Sequence, residues 1–258
     1  MLRQFVKYHG AGNDFIVFSG DYTGFNASAI KYLCNRKLGI GADGLICVEN
    51  IKNSTFDFTV HFFNSNGKLG SLCGNGSRCA INFAHSKGFF LGDSCNFQAS
   101  DGLHQGLIME DGLVSINFLN SRKAIKSGLG YLIDTGSPHY VQIVENLNDL
   151  DITDLGPVIS KRVDALNGCN VNFIEAMENG DFQIITYERG VERETLSCGT
   201  GAVAGALVLN QFKGMKSPVK LSAKGGVLSI EFSVSEMGFE NIILTGPVVK
   251  VFDGKCIV

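Results

Sequence analysis

Cys73-Gly74-Asn75-Gly76-Ser77-Arg78-Cys79-Ala80, running on to Lys87-Gly88, is the stretch from which the rest of the sequence can be read. It recurs in altered form as Cys198-Gly199-Thr200-Gly201-Ala202-Val203-Ala204, running on to Lys213-Gly214. Each copy is Cys-Gly-polar-Gly, then an apolar run containing Ala, then a Lys and a Gly. The Lys faces the last carbonyls of a helix, and the Gly takes the left-handed position that ends it. Each copy therefore predicts a cysteine at the mouth of a buried helix. A helix N-terminus carries unpaired N–H groups and a partial positive charge. A thiol there ionises more easily: the free value of about 8.5 falls to roughly 3.5–7.5 in such settings. One such cysteine is a nucleophile or a base. Two in matching frames point to a pair that works together.

The flanking segments repeat as well. Phe5–His9 reads as a strand that ends in Gly10-Ala11-Gly12-Asn13-Asp14, and Phe15–Phe18 as a buried strand. Asn26 caps a short helix with Ile30, Leu33 and Cys34 on one face. Leu45–Val48 and Phe56–Phe63 are strands, and Asn66-Gly67 is a hairpin signal. Further strands are expected at Ser94–Ala99, Gly106–Met109 and Leu113–Phe118. In the second half, Asp134–His139 is a polar loop before the strand Tyr140–Val144. Asp151–Ser160 holds a helix with Pro157 inside it. Asn167-Gly168-Cys169-Asn170 leads into the strand Val171–Ile174, and Phe182–Tyr187 precedes the charged turn Glu188-Arg189-Gly190. Val219–Val258 returns to strands, with a turn at Gly225-Gly226. Polar loop, helix, two strands, polar turn, Cys and helix thus occur twice, about 125 residues apart. Asn120–Gly130 is polar and reads as a linker. The halves are then residues 1–119, joined by a last strand 250–258, and residues 120–249. Hairpin turns predict largely antiparallel pairing, and two facing halves would leave a cleft between them.

The chain has 258 residues, of which 45% are hydrophobic and 18% charged, an ordinary globular balance. The formal net charge of −3, without a basic stripe, argues against nucleic-acid binding and against an anionic membrane partner. Met1–Lys7 has no apolar core for a signal peptide, and no stretch approaches the ~18 apolar residues of a spanning helix. A cytoplasmic protein is expected, with its eight cysteines reduced. None of them sits in C-x-x-C, so no metal site is expected.

Taken together, Tyr8-His9-Gly10-Ala11-Gly12-Asn13-Asp14-Phe15, Phe63-Asn64, Cys73-Gly74-Asn75-Gly76, Gly136-Ser137-Pro138-His139, Tyr187-Glu188-Arg189-Gly190 and Cys198-Gly199-Thr200-Gly201 resemble the diaminopimelate epimerase family over nearly the whole chain. The resemblance implies an α/β (α+β) fold of two pseudo-symmetric halves, each a mostly antiparallel β-sheet or barrel wrapped around a central helix. It implies epimerisation of LL-2,6-diaminopimelate to the meso form without a cofactor, in the route to lysine and cell-wall precursors, by a homodimer. It implies Cys73 and Cys198 as the catalytic pair. Asn13, Asn64, Asn170, Glu188 and Arg189 would bind substrate, with the helix-start amides of Gly74, Asn75, Gly199 and Thr200 on the reacting carboxylate. His139 and Glu188 would tune the thiols. The chain departs from the family in three places: Gly44 where some members carry Gln, Ser137 where Asn is common, and a turn from Gly190 to Thr195 that is one residue longer.

The chemistry agrees with that assignment. Inverting an α-carbon needs a base on one face and an acid on the other, and a thiolate and a thiol supply both. Simpler readings exist for the other residues. Cys34, Cys47, Cys79, Cys95, Cys169 and Cys256 read as buried or incidental thiols. His9, His61, His85 and His104 read as structural or solvated, and each Asn alone could cap a turn. Three rival functions remain open. A proline racemase-like enzyme usually has His after its first Cys-Gly, where this chain has Asn75. A PhzF-like isomerase lacks the cysteine pair. A non-catalytic binding module would not need both thiols.

Overall fold

The computed structural model describes residues 2–51, 55–70, 72–162, 168–178 and 180–257. The chain packs as two compact units, Met1–Ile116 with Gly246–Val258, and Asn117–Thr245.

The first unit opens with β1 (Leu2–Gly10), β2 (Asn13–Ser19), α1 (Ala27–Cys34), β3 (Gly44–Asn50) and β4 (Phe58–Asn64). It continues with α2 (Gly74–Ser86), β5 (Ser94–Ala99), β6 (Gly102–Ile108) and β7 (Val114–Asn117). Phe15, Ile16, Val17 and Phe18 are all buried, because β2 is covered on both faces. Ile16 and Phe18 join Leu45 and Cys47 of β3 in a layer with Ile30, Leu33 and Cys34 of α1. Those three are the face of α1 expected from sequence, and Asn26 caps the helix, accepting from the Ala29 amide at 2.9 Å. The alternate residues point the other way, where α2 packs against β1, β2, β3, β4 and β6. Helix α2 is buried from Gly74 to Ala84 save for Asn82, so it is a core element and not an amphipathic surface helix.

The second unit repeats this order. It contains β8 (Ser121–Arg122), β9 (Ile125–Ser127), β10 (Gly130–Asp134), β11 (Pro138–Val144), α3 (Ile152–Arg162), β12 (Asn170–Ala176) and β13 (Phe182–Glu188). Then come β14 (Arg193–Thr195), α4 (Gly199–Lys213), β15 (Val219–Ala223), β16 (Gly226–Val234) and β17 (Gly238–Gly246). Helix α4 is wrapped by β10, β11, β12, β13, β15 and β16. Val171, Phe173, Ile185 and Tyr187 form an outer layer that also includes Ile152 of α3. Gly156 lets α3 lie on Tyr187: a Cβ there would stand 2.4 Å from the ring.

Pairing is largely antiparallel, with one systematic addition. In each unit the two strand pairs separated by a helix are parallel: β2–β3 and β4–β5 in the first, β11–β12 and β13–β15 in the second. A helical crossover is what a parallel pair requires. The unit boundary strand β18 (Val248–Ile257) returns to the first unit and runs antiparallel to β1, from Leu2↔Ile257 to Gly10↔Val248.

The polar stretch from Asn120 to Gly130 is not a linker. It carries β8, which pairs with β17 at Gly238↔Arg122, and β9, which forms a hairpin with β10 through Gly128 at φ +57. Gly238 is required there, since a Cβ would lie 2.1 Å from the Ser121 carbonyl oxygen. Asn167, expected to open the loop before β12, lies outside the described residues. No helix among the described residues is long and apolar enough to cross a membrane.

The layer between β2 and α1 depends on large rings. Phe18→Ala should lower stability by about 3–5 kcal/mol, read as an earlier urea midpoint at an unchanged slope. An unshifted midpoint would mean that this layer does not hold α1.

Candidate active site

Each expected cysteine is the N-cap of its helix. Cys73 (φ −111, ψ 106) precedes α2 and Cys198 (φ −123, ψ 114) precedes α4, both in extended backbone. Each sulfur accepts from the amide three residues on: Gly76 N–H to Cys73 Sγ at 3.4 Å, and Gly201 N–H to Cys198 Sγ at 3.4 Å. The cap position is normally taken by a side-chain oxygen, and a sulfur there satisfies the same orphan donor. The glycines are part of the device. A Cβ on Gly76 would stand 3.5 Å from Cys73 Sγ, and one on Gly201 would stand 3.3 Å from Cys198 Sγ and 2.4 Å from Asn172 Oδ1. The other thiols are different. Burial pushes those of Cys34, Cys47 and Cys95 up to about 12, and those of Cys79, Cys169 and Cys256 upward as well. They stay protonated at neutral pH and suit core packing.

In the first unit, Asn13 and Asn75 meet at Cys73. Cys73 Sγ lies 3.7 Å from Asn13 Oδ1, and Asn75 Nδ2 donates to the same oxygen at 3.4 Å. The turn Ala11-Gly12 delivers Asn13, with both residues at positive φ (+50 and +82). Gly10 lets β1 approach the helix: a Cβ there would stand 2.8 Å from the Asn75 carbonyl oxygen. His9 accepts from the Gly12 amide at 3.3 Å and so shapes that turn. Two charged side chains that the sequence reading did not single out touch the pair. Asn13 Nδ2 donates to Asp43 Oδ2 at 2.9 Å, and Arg78 Nη2 donates to Asn75 Oδ1 at 2.8 Å. Arg78 is wholly buried inside α2, and burial lowers its pKa to about 10 against the opposing influence of the Cys79 and Cys73 sulfurs. Asn64 ends β4 opposite Gly44, exposed, with its backbone in the turn to Lys68. Gly44 has no room for a side chain as it stands, since a Cβ would lie 2.6 Å from the Phe62 ring and 2.7 Å from the Phe63 carbonyl oxygen.

In the second unit the partners are hydroxyls and a neutral imidazole. Asn172 Nδ2 donates to the Tyr140 carbonyl at 3.0 Å and to His139 Nδ1 at 3.0 Å, so Nδ1 is the acceptor and the proton sits on Nε2. Nε2–H then faces Ser137 Oγ at 3.0 Å; Ser137 Oγ donates to Thr200 Oγ1 at 3.4 Å; and Thr200 Oγ1 lies 3.4 Å from Cys198 Sγ. Two hydroxyls thus link the imidazole to the sulfur, with either atom able to donate in the last contact, and Asn170 Nδ2 also lies 3.4 Å from His139 Nε2. Burial, helped by the Arg189 charge, lowers the His139 pKa to about 3 against the Asn172 hydrogen bond, so the ring is neutral at physiological pH. Asn170 is held by the Arg189 amide, which donates to its Oδ1 at 2.9 Å, and points Nδ2 at Ser137 Oγ at 3.4 Å. Arg189 is exposed and donates from Nη1 to the Gly168 carbonyl at 3.0 Å. Glu188 ends β13, paired with Arg193. The longer turn is absorbed at Glu192, whose φ is +59. Its carboxylate accepts from Tyr187 Oη at 2.6 Å and from the Gly190 amide at 2.9 Å.

The two constellations occupy matching places. Asn13 and Ser137 stand two residues before the paired residues Phe15 and His139, and Gly44 and Asn170 are the strand partners of those two. Asn75 and Thr200 each follow their cysteine by two. A thiol at a helix start can exchange a proton, and the first-turn amides beside it can bind a carboxylate. Ser137, Asn172 and Thr186, whose Oγ1 donates to Asn172 Oδ1 at 3.0 Å, carried no signal strong enough to single them out as partners of the thiol. Among the described residues no three His, Cys, Asp or Glu side chains gather as a metal site.

Two copies of a mostly antiparallel sheet wrapped around a central helix define a class of α/β fold. A PhzF-family protein from Bacillus anthracis shares the scaffold with a TM-score of 0.78 at 13% identity, over 100% of both chains. A hydroxyproline epimerase from Agrobacterium vitis shares it with a TM-score of 0.73 at 15% identity, over 99% of this chain and 91% of that one. Within that class the chain belongs to the diaminopimelate epimerase family, whose model matches residues 5–117 and 131–251. A diaminopimelate epimerase from Flavobacterium psychrophilum is 38% identical over 96% of this chain and 97% of its own length. One from Aquifex aeolicus is 36% identical over 98% and 97%.

His139 links the site to acid stability. Its folded value lies below the unfolded value of about 6.5, so the unfolded chain takes up the proton first. The stability it contributes is fully present above about pH 6.5 and is lost as pH falls toward about 3. His139→Gln should flatten this part of a plot of unfolding free energy against pH; an unchanged slope would place the acid sensitivity elsewhere. Gly10→Ala should cost about 1–3 kcal/mol through its contact with the Asn75 backbone, measured by thermal unfolding.

Proposed function

We propose that this chain interconverts LL-2,6-diaminopimelate and meso-2,6-diaminopimelate by two-base proton transfer, with Cys73 and Cys198 as the pair. One observation carries the reading. The same device, a cysteine capping a buried helix with its sulfur on the third amide, is built twice in matching frames. One thiolate removes the α-proton and becomes a thiol. The other thiol delivers its proton to the opposite face of the carbanion and becomes a thiolate. The two sulfurs end with roles exchanged, and the reverse reaction uses them in the other order.

The amides of Gly74, Asn75, Gly199 and Thr200 stand in the first turn of their helices, where N–H groups point out of the helix end, which suits them to a carboxylate in which charge builds up. Asn13, Asn64 and Asn170, with Glu188, would take the amino groups, and Arg189 the distal carboxylate. His139 would act on Cys198 as a neutral donor through Ser137 and Thr200, favouring the thiolate, and Glu188 by its charge. The reaction needs no cofactor or metal. The reading also makes the protein a cytoplasmic homodimer, and a monomer mass in sedimentation would remove that part of it.

Incubation with LL-diaminopimelate in heavy water should give the meso isomer with deuterium at the inverted carbon. Neither inversion nor label would remove the epimerase reading, and turnover of proline instead would favour a proline racemase. Cys73→Ala and Cys198→Ala should each lower epimerisation by more than about 100-fold, the low end of what a positioned acid or base contributes. Normal turnover by either variant would contradict a two-thiol mechanism.

A further inference from the structure

We propose that Arg78 and Asp43 are positioning residues that act from opposite ends of a short chain of hydrogen bonds, Arg78–Asn75–Asn13–Asp43, to fix which way both asparagine amides face at Cys73. The argument starts from what each group can do. A guanidinium only donates, and an ionised carboxylate only accepts. Arg78 Nη2 at 2.8 Å therefore requires Oδ1 of Asn75, which leaves Nδ2 to face Asn13. Asp43 Oδ2 at 2.9 Å requires Nδ2 of Asn13, which leaves Oδ1 to face both Asn75 Nδ2 at 3.4 Å and Cys73 Sγ at 3.7 Å. Turning either amide over sets donor against donor or oxygen against oxygen. Turning both moves the conflict to the charged ends. In a buried setting each such mismatch costs about 1–3 kcal/mol.

Both end groups are themselves held. Arg78 is fully buried, and its Nη1 donates to the Gly74 carbonyl at 3.2 Å, while its Nε has no hydrogen-bond partner among the described residues. A buried cation left incompletely satisfied is a costly feature for a core helix. Its directed contact with Asn75 gives a reason for it. Asp43 Oδ1 is fixed by Arg36 Nη2 at 2.8 Å, and Arg36 also grips Asp14, itself paired with Lys7 at 2.7 Å. The second unit lacks both charges. Val203 follows Cys198 as Arg78 follows Cys73, and Cys169 precedes β12 as Asp43 precedes β3. The partners there are Ser137 and Thr200, whose hydroxyls rotate and have no two-sided amide to orient.

What Asn13 and Asn75 do for substrate rests on the epimerase reading. The test below does not, because its first readout needs no substrate. Asp43→Asn and Arg78→Lys are compared with the native chain, alone and in Asn13→Ala and Asn75→Ala backgrounds respectively. The first readout is the rate at which iodoacetamide alkylates Cys73, resolved by peptide mass spectrometry, with Cys198 and Cys256 as internal controls. The second is kcat/KM for diaminopimelate.

Asp43→Asn should change the Cys73 rate by about threefold or more and leave both controls within about twofold, and the change should vanish in the Asn13→Ala background, as expected for groups acting through one another. Arg78→Lys should behave likewise against Asn75→Ala. The proposal is overturned by an equal change in the Asn13→Ala background, by parallel changes at all three cysteines, or by an unaltered Cys73 rate in a variant of native Tm. Should Arg78→Lys not fold, the part-exposed Asp43 decides the question alone. A native chain that shows these effects but no turnover keeps the positioning role and loses the epimerase.

Discussion

A sulfur atom in the N-cap position is the contact on which the rest of this structure depends. A cap satisfies an orphan amide at the start of a helix, and it normally does so with a hard oxygen. Using cysteine there ties a thiol to the first turn of a rigid element. The arrangement makes three demands on the chain. The residue three positions on is Gly in both, and a Cβ would stand 3.2 Å from the Ile46 side chain at Gly76 and 2.4 Å from Asn172 Oδ1 at Gly201. The helix must be buried, so that its opening is not washed by bulk water. The sheet must wrap it, which α2 and α4 achieve against six or so strands each, with parallel pairs where a helix carries the chain across. The duplicated order of elements follows from meeting these demands twice.

The two copies meet a further demand by different means. Cys73 is set among amides whose direction is governed by charges, Arg78 and Asp43. Cys198 is set beside hydroxyls that link it to a neutral imidazole, and that imidazole is held by Asn172. Hydroxyls can turn as a neighbouring sulfur gains or loses a proton, whereas an amide between a cation and a carboxylate cannot.

The elements that could be read from sequence were those with a physical signature several residues long. Ile30, Leu33 and Cys34 recur at helical spacing, and Asn26 caps them. Cys-Gly-polar-Gly before an apolar run gave both central helices, and Asn66-Gly67 marked a tight turn in which the Gly67 amide donates to the Asn64 carbonyl at 2.8 Å. The strands β8, β9 and β14 were not legible, because two or three residues cannot display a period. Polar composition made the first two look like a linker, although Gly238 makes room for one of them. In the site, residues next to a cysteine or inside a motif that carries the family resemblance were named, Asn13, His139 and Asn170 among them, and Asp43, Arg78 and Asn172 were not. Asp43 lies thirty positions from Asn13. Arg78 sits in a helix read as apolar, and a charged side chain is ordinarily assigned to solvent. Asn172 is one polar residue in an apolar strand.

The return of β18 to pair with β1 along its whole length has a consequence for biogenesis. The ribosome makes β1 before β18, with all of Asn117–Thr245 between them. The second unit is one continuous stretch of chain and waits for no later strand. The first must wait with one edge of β1 open, an edge of the kind that invites pairing with a stranger. The half that is translated earliest is thus the last to be completed.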